Sequence, residues 1–345
     1  MTKLSVLWLV VCSLFVILGP GSALGSDLAG SPPSCSTEIT SCGCVITHAN
    51  TYTVANDLSA GQTDRANCIE IAADHSILNL KGFSVIGNGN GTGTGILIRH
   101  GADHVVVQGA DETQQLRIRD DDPCAPSGHQ AIVNRWNVAI EDDAEDAVIE
   151  LFDGLGGNAS QPSGNATAGI LMNNGNRSVA GDFIACYNGV AGVLVKNSSG
   201  STLFNFTSNS NQAYGVWLDS SNDSRIGTAS VGNNGSYGVW LMRSSRNVID
   251  NYGASQNGDT GTLIGCGTVH CTGNETSDNN RVTNGGNNGN TMAGLVIQKH
   301  NRNNIITITT NGGNPDGHDM VDLNANCDRD IWYNNTGTSN QSCIH

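Results

Sequence analysis

The sequence predicts an all-β solenoid, a chain wound into stacked coils whose strands pair in parallel. Three observations predict it. One phrase recurs: Ala168-Gly169-Ile170-Leu171-Met172 returns as Ala191-Gly192-Val193-Leu194-Val195, Tyr214-Gly215-Val216-Trp217-Leu218 and Tyr237-Gly238-Val239-Trp240-Leu241, and Thr260-Gly261-Thr262-Leu263-Ile264 opens a fifth turn. Its glycines step by 23 residues (192 − 169, and so on), a period typical of solenoids. An asparagine column, Asn188, Asn211, Asn234 and Asn257, keeps the same step and resumes at Asn290. Within each copy apolar residues alternate as in a strand. Abundant glycine and asparagine, with few aromatics, supply the tight turns that short strands need.

The elements follow in order. Met1-Thr2-Lys3, the apolar run 4–18 and the small residues Gly19-Pro20-Gly21-Ser22-Ala23 read as a secretory signal peptide, residues 1–25, cleaved after Ala23 or Gly25. The run is too short for a comfortable membrane span, so the chain is expected to be secreted or periplasmic, with no stable membrane span after cleavage. Of the 11 cysteines only Cys12 precedes that point, and the even remainder suits an oxidising compartment. Residues 26–34 form a Ser/Gly/Pro-rich linker. Residues 35–67, with Cys35, Cys42, Cys44 and the strand Tyr52-Thr53-Val54, form an N-terminal cap that hides the first apolar layer. Coils, about ten of them, fill residues 68–335. Cys68-Ile69-Glu70-Ile71 aligns with Gly95-Ile96-Leu97-Ile98, and Asn137-Val138-Ala139-Ile140-Glu141 repeats the register after a long insertion at 109–136. Further insertions fall at 153–167 and around 266–274. Gly294-Leu295-Val296-Ile297 resumes the repeat, and Asp330-Ile331-Trp332 belongs to a last, degenerate coil. Residues 336–345 close the stack as a C-terminal cap.

Strand alternation sends the first and third residues after each glycine to one side and the second and fourth to the other. The first and third, Ile170/Met172, Val193/Val195, Val216/Leu218 and Val239/Leu241, are predicted to fill the core. The glycine permits close approach at the turn. The asparagines tolerate left-handed turns while bonding along the column. A net charge of −15 makes nucleic acid and anionic membranes poor partners.

The opening Thr51-Tyr52-Thr53-Val54, Asp57-Leu58, Cys68-Ile69-Glu70-Ile71-Ala72, Leu78-Asn79-Leu80-Lys81-Gly82-Phe83 and Ile86-Gly87 resembles the first coil of the right-handed parallel β-helix superfamily. It resembles especially the secreted bacterial proteins with NosD-type or pectate-lyase-type repeats. The resemblance covers roughly residues 45–335 as an architecture, and its motifs are specific for fold rather than activity. It implies polysaccharide binding, cleavage or epimerisation, with copper-accessory work in the NosD branch. No His- or Met-rich tract supports copper handling. The sequence also lacks the Asp-Pro-His element of alginate epimerases and a hydrolase-like pair of aspartates. An enzyme of this kind would be lyase- or epimerase-like.

The charged chemistry gathers in the irregular coils. Arg117 and Arg119 share a strand face and precede Asp120, Asp121 and Asp122, with His129, Arg135 and Glu141 nearby in sequence. Asp120, Asp121, Asp122 and Glu141 are a donor set suited to calcium. Arg117, Arg119, His129 and Arg135 suit uronate recognition or catalysis, and a solvated acidic loop accounts for the same residues without a ligand. Lys196 with Asp219, and Arg99 with Glu141, are expected to be vertical neighbours forming surface ion pairs. Cys266 with Cys271, and Cys327 with Cys343, are expected disulfides; Cys266, His270 and Cys271 could alternatively ligate a metal.

The outward second position of the coil reads Leu171, Leu194, Trp217, Trp240, Leu263 and Val296. A vertical apolar file of this kind marks an interaction surface unless the 153–167 loop or the C-terminal tail covers it. Trp217, Trp240, Leu194 and Leu263 are the candidate substrate-binding residues. Two functions stay open: recognition, with or without processing, of an extracellular polysaccharide, and a non-catalytic surface or adhesion solenoid with a self-association face.

Overall fold

The computed structural model describes residues 32–61, 66–110, 124, 130–157, 164–267, 276–315 and 318–344. Every strand pairing among them is parallel, and the chain winds as a right-handed β-helix. Eleven strands stack into a straight sheet, from Cys44–Ile46 through Thr94–Ile98, Ala168–Asn173, Ala191–Lys196, Tyr214–Asp219 and Thr260–Ile264 to Met320–Asp322. A second sheet of 16 strands runs alongside, with Val179–Ile184, Thr202–Thr207, Arg225–Ser230 and Val248–Gly253 as its regular rungs.

The second sheet is bent, and the bend has a sequence cause. Asp182, Asn205, Thr228, Asn251 and Asn284 each take a left-handed φ between 48° and 53° in mid-strand, a conformation that, glycine apart, Asn and Asp adopt most readily. Each such residue turns a corner, so one strand lines two faces of the coil. Further left-handed columns, among them Asp146, Arg177, Asp223 and Arg246, turn the chain between the two sheets.

Register is set by the repeat. Ile170 pairs with Val193, Val193 with Val216, and Val216 with Val239. These residues, with Met172, Val195, Leu218 and Leu241, are buried in one continuous core. Phe183 and Phe206 stack inside it from the bent sheet, rings 4.9 Å apart. The repeat glycine is required by space: a Cβ on Gly192 would lie 1.9 Å from the Ser208 hydroxyl, and one on Gly215 would lie 2.1 Å from Val231.

The asparagine column is a buried ladder. The side-chain oxygen of Asn211 accepts both the backbone N–H (2.9 Å) and the amide (3.0 Å) of Asn188, and the pattern climbs through Asn234 and Asn257 to Asn290. A second ladder joins the backbone N–H of Ser198 to Ser221, of Ser221 to Ser244, and of Ser244 to Ser277. Buried turns thereby keep their polar groups paired.

Disulfides staple the stack. Cys35–Cys44 and Cys42–Cys68 hold the first rungs, Cys124–Cys186 spans a side, and Cys327–Cys343 forms as expected near the end. Cys266 is disulfide-bonded; its expected partner Cys271 lies outside the described residues.

Candidate functional site

Arg117, Arg119, Asp120, Asp121, Asp122 and His129 lie outside the described residues. Glu141 and Arg135 are described, and the fold does not bring them together. Glu141 is outward on the straight sheet and accepts the Thr94 hydroxyl at 2.9 Å; burial raises its carboxyl above the usual range. Arg135 sits on a left-handed turn (φ 64°) and donates to the Asn88 carbonyl at 3.4 Å. It lines a cleft of about 260 Å³ with Trp136, Tyr187 and Gln212.

Alternation also divides the run Glu141-Asp142-Asp143. Asp142 points inward, fully buried and in register with Met172 and Ile98, so it occupies a core position. Burial pushes its carboxyl up to about 6. The run is therefore not one acidic face. Among the described residues no group of three or more His, Cys, Asp or Glu side chains is placed to hold a metal ion.

Two expected ion pairs are replaced by others. Lys196 is beside Asp219 in register, but Asp219 is held by Arg243 at 2.5 Å. Register sets Glu141 beside Leu97, and Arg99 pairs with Glu70.

The outward file is real and continuous: Leu171, Leu194, Trp217, Trp240, Leu263, Val296 and Val321 are successive partners. It is not the open stripe expected from alternation. Leu194 is 8% exposed, Trp240 4% and Leu263 3%, while Leu171, Trp217 and Val296 are half-buried. Two things cover it. A second outward column, Tyr214 and Tyr237, packs against the indoles: Trp217 and Trp240 stack at 4.9 Å, and each meets its own-rung tyrosine edge-on. The segment 265–267 then lies over Trp240. The indole N–H donates to the Gly265 carbonyl at 2.7 Å, and Gln298 exchanges two hydrogen bonds with the Gly267 backbone at 2.9 Å each. A Cβ on Gly267 would come within 2.9 Å of the Trp240 ring.

Above those aromatics both columns shrink. Tyr237 is followed, 23 residues on, by Thr260 and then by Ala293, and Trp240 by Leu263, Val296 and Val321. The step leaves a cleft of about 430 Å³, within the range of small-molecule sites. Leu263, Val296 and Val321 form its floor; Tyr237, Asp259, Met292, Gln298 and His318 stand around it. Burial, reinforced by the neighbouring Asp259, pushes the Tyr237 phenol up to about 12, so it remains a neutral hydrogen-bonding group. Sequence reasoning singled out Leu263 and Val296 and placed Gln298 among the outward fourth positions, but missed Asp259, Met292 and His318; Asp259 and Met292 follow Ser236 in one column whose residues share no chemical type.

No family model matches the sequence, and no curated protein matches it. Among solved structures the chain is similar to the Dettilon tailspike protein, at 12% identity and a TM-score of 0.55 over 86% of this chain. The match spans 60% of the tailspike's length. The mannuronan C-5 epimerase A-module of Azotobacter vinelandii (12% identity, TM-score 0.49, 86% of this chain and 84% of the module) and a periplasmic alginate epimerase (14%, 0.43, 79% and 66%) also align. The tailspike alignment bears on architecture alone. Together with the parallel rungs and inward apolar columns, it identifies the chain as a right-handed parallel β-helix protein.

Proposed function

We propose that this protein is a secreted, polysaccharide-recognising β-helix whose binding site is the cleft on the outer face of the straight sheet. The observation that carries the reading is the shape and lining of that cleft. An apolar floor stands beside an aromatic wall and a rim of hydrogen-bonding groups, a combination that suits the apolar faces and polar edges of sugar rings. The structural neighbours add support, since a tailspike and two epimerases of mannuronan or alginate share the fold. The disulfides suit an oxidising, extracytoplasmic location. Among the described residues no helix is long and apolar enough to cross a membrane.

Native electrophoresis through gels containing soluble polysaccharides tests it. The wild type is expected to be retarded by at least one polymer, and Met292→Glu, on an exposed rim residue (53%), to migrate freely. Unretarded migration of the wild type in every polymer overturns the reading. Processing is a separate question: unsaturated or epimerised products from a retarding polymer would make the protein an enzyme.

A second reading, a self-associating solenoid, is favoured by a different surface. Ile305, Ile331 and Tyr333 are exposed on the last rungs of the bent sheet, and Ile331–Tyr333 ends that sheet's strand order. Unpaired strand edges with apolar flanks are where chains add to one another. Sedimentation of the wild type and Tyr333→Lys decides: a monomer at all concentrations removes this reading.

A further inference from the structure

We infer that the ligand of the straight-sheet cleft is an uncharged glycan and not a uronic acid polymer; the inference rests on reading the cleft as a polysaccharide site. The argument is one of charge. Among the described residues that line the cleft the only ionisable groups are Asp259, His318 and Tyr237, and no lysine or arginine is present. The Asp259 carboxylate has one oxygen on the Thr260 hydroxyl at 2.8 Å, which leaves acceptor capacity toward the cleft. The chain as a whole carries a net charge of −15, and none of the described lining residues is a lysine or arginine that could offset that carboxylate.

A uronate chain brings one carboxylate per ring. Its recognition calls for a guanidinium fork or an ammonium group, and juxtaposed like charges select against a partner. A neutral sugar has the opposite requirements. Its hydroxyls can donate to Asp259, and can accept from the Gln298 amide hydrogen not committed to the Gly267 carbonyl. Its C–H face can lie on Leu263, Val296 and Val321 against the edge of Tyr237. A guanidinium, which suits an anion, lines a different cleft, in Arg135.

Isothermal calorimetry on the full chain tests this, with neutral oligosaccharides (cello-, xylo-, malto- and manno-series) against oligogalacturonate and alginate oligomers. The wild type is expected to bind at least one neutral series tenfold or more tightly than either uronate series. Asp259→Lys is expected to weaken the neutral ligand at least fivefold and to narrow or reverse the preference. Met292→Glu, at an exposed position that leaves the fold intact, should likewise weaken neutral binding. Uronate oligomers bound by the wild type as tightly as neutral ones overturn the inference while the polysaccharide reading stands. So does neutral binding unchanged in both variants. Absence of binding to every oligosaccharide overturns both. A concentration-dependent dimer abolished by Met292→Glu would assign the cleft to a second copy of the chain and also overturn both.

Discussion

The asparagine ladder is the feature on which the stack depends most directly, and Asn234→Ala measures it. The Asn234 side-chain oxygen accepts the Asn211 backbone N–H and amide, each at 3.0 Å. Its amide donates to the Ser208 carbonyl at 3.1 Å and to the Asn257 side-chain oxygen at 3.0 Å. Truncation removes all four bonds, but two losses are softened. The Asn211 amide keeps the Ala185 carbonyl and the Ser208 hydroxyl, and the Asn257 oxygen keeps the Asn234 backbone N–H. The Asn211 N–H and the Ser208 carbonyl are left without partners inside the coil. At about 1–3 kcal/mol per buried orphan, the expected loss is about 2–6 kcal/mol. Guanidinium unfolding of Asn234→Ala and of an exposed neighbour control, Gln212→Ala, reads it as a shift of midpoint at constant slope. The control should remain within about 0.5 kcal/mol of the wild type. A loss below about 1 kcal/mol for Asn234→Ala, at unchanged slope, would mean that water or backbone relaxation replaces the ladder and would refute the reasoning.

Three further outcomes are expected. Trp240→Ala should cost about 3–5 kcal/mol in chemical unfolding because the ring is buried under 265–267, and half-buried Trp217→Ala should cost clearly less; equal small losses would show an open stripe. Asp142, with its folded carboxyl raised to about 6 from 3.8, binds its proton more tightly folded than unfolded. Stability should therefore fall as pH rises from about 4 to about 6 and be flat above, by on the order of 2–3 kcal/mol. Asp142→Asn should remove that slope, judged as the wild-type-minus-variant difference because buried Asp330 is raised in the same direction. Replacing the Cys327–Cys343 bridge, which closes a separation of 16 residues, with serines should cost about 3 kcal/mol in thermal or chemical unfolding; no change would mean that the end of the stack holds without it.

Much of the architecture is written in the repeat. Gly169, Gly192 and Gly215 mark the close approaches, Ile170 and Val193 mark the inward columns, and Asn188 through Asn257 mark the ladder. Equal spacing was a sufficient signal because each coil repeats the environment of the last. The same signal was present for Ser198, Ser221 and Ser244, and for the corner residues Asn205, Thr228 and Asn251, which sequence reading passed over because they alternate with no apolar pattern. Asp142 shows where spacing misleads. Three consecutive carboxylates look like one cluster in a list of residues, but strand alternation buries the middle one. Trp240 shows a second limit. Period and parity say which way a side chain points, and whether it is covered depends on Gly267, from an insertion, and on Gly265 and Gln298, from later rungs.

The location of the cleft follows from the same contrast. A solenoid of identical coils presents flat faces, because every outward residue has a similar one above and below. A recess needs neighbouring rungs to differ. Two differences coincide here. Between Asn257 and Asn290 the ladder step is 33 residues instead of 23, an excess of 10 (33 − 23), and the insertion so created begins within the 265–267 segment, whose Gly267 lines the cleft. Across the same rungs the outward columns step down from Tyr237 and Trp240 to Ala293 and Val296, which lowers the floor. Wall and floor thus have separate origins in the sequence. Filling the floor with Val296→Trp should abolish ligand binding at little cost in stability, whereas releasing the wall with Gln298→Ala should expose Trp240 and lower both. If calorimetry and unfolding showed the two variants to be indistinguishable, the cleft would not be the composite of insertion and column step described here.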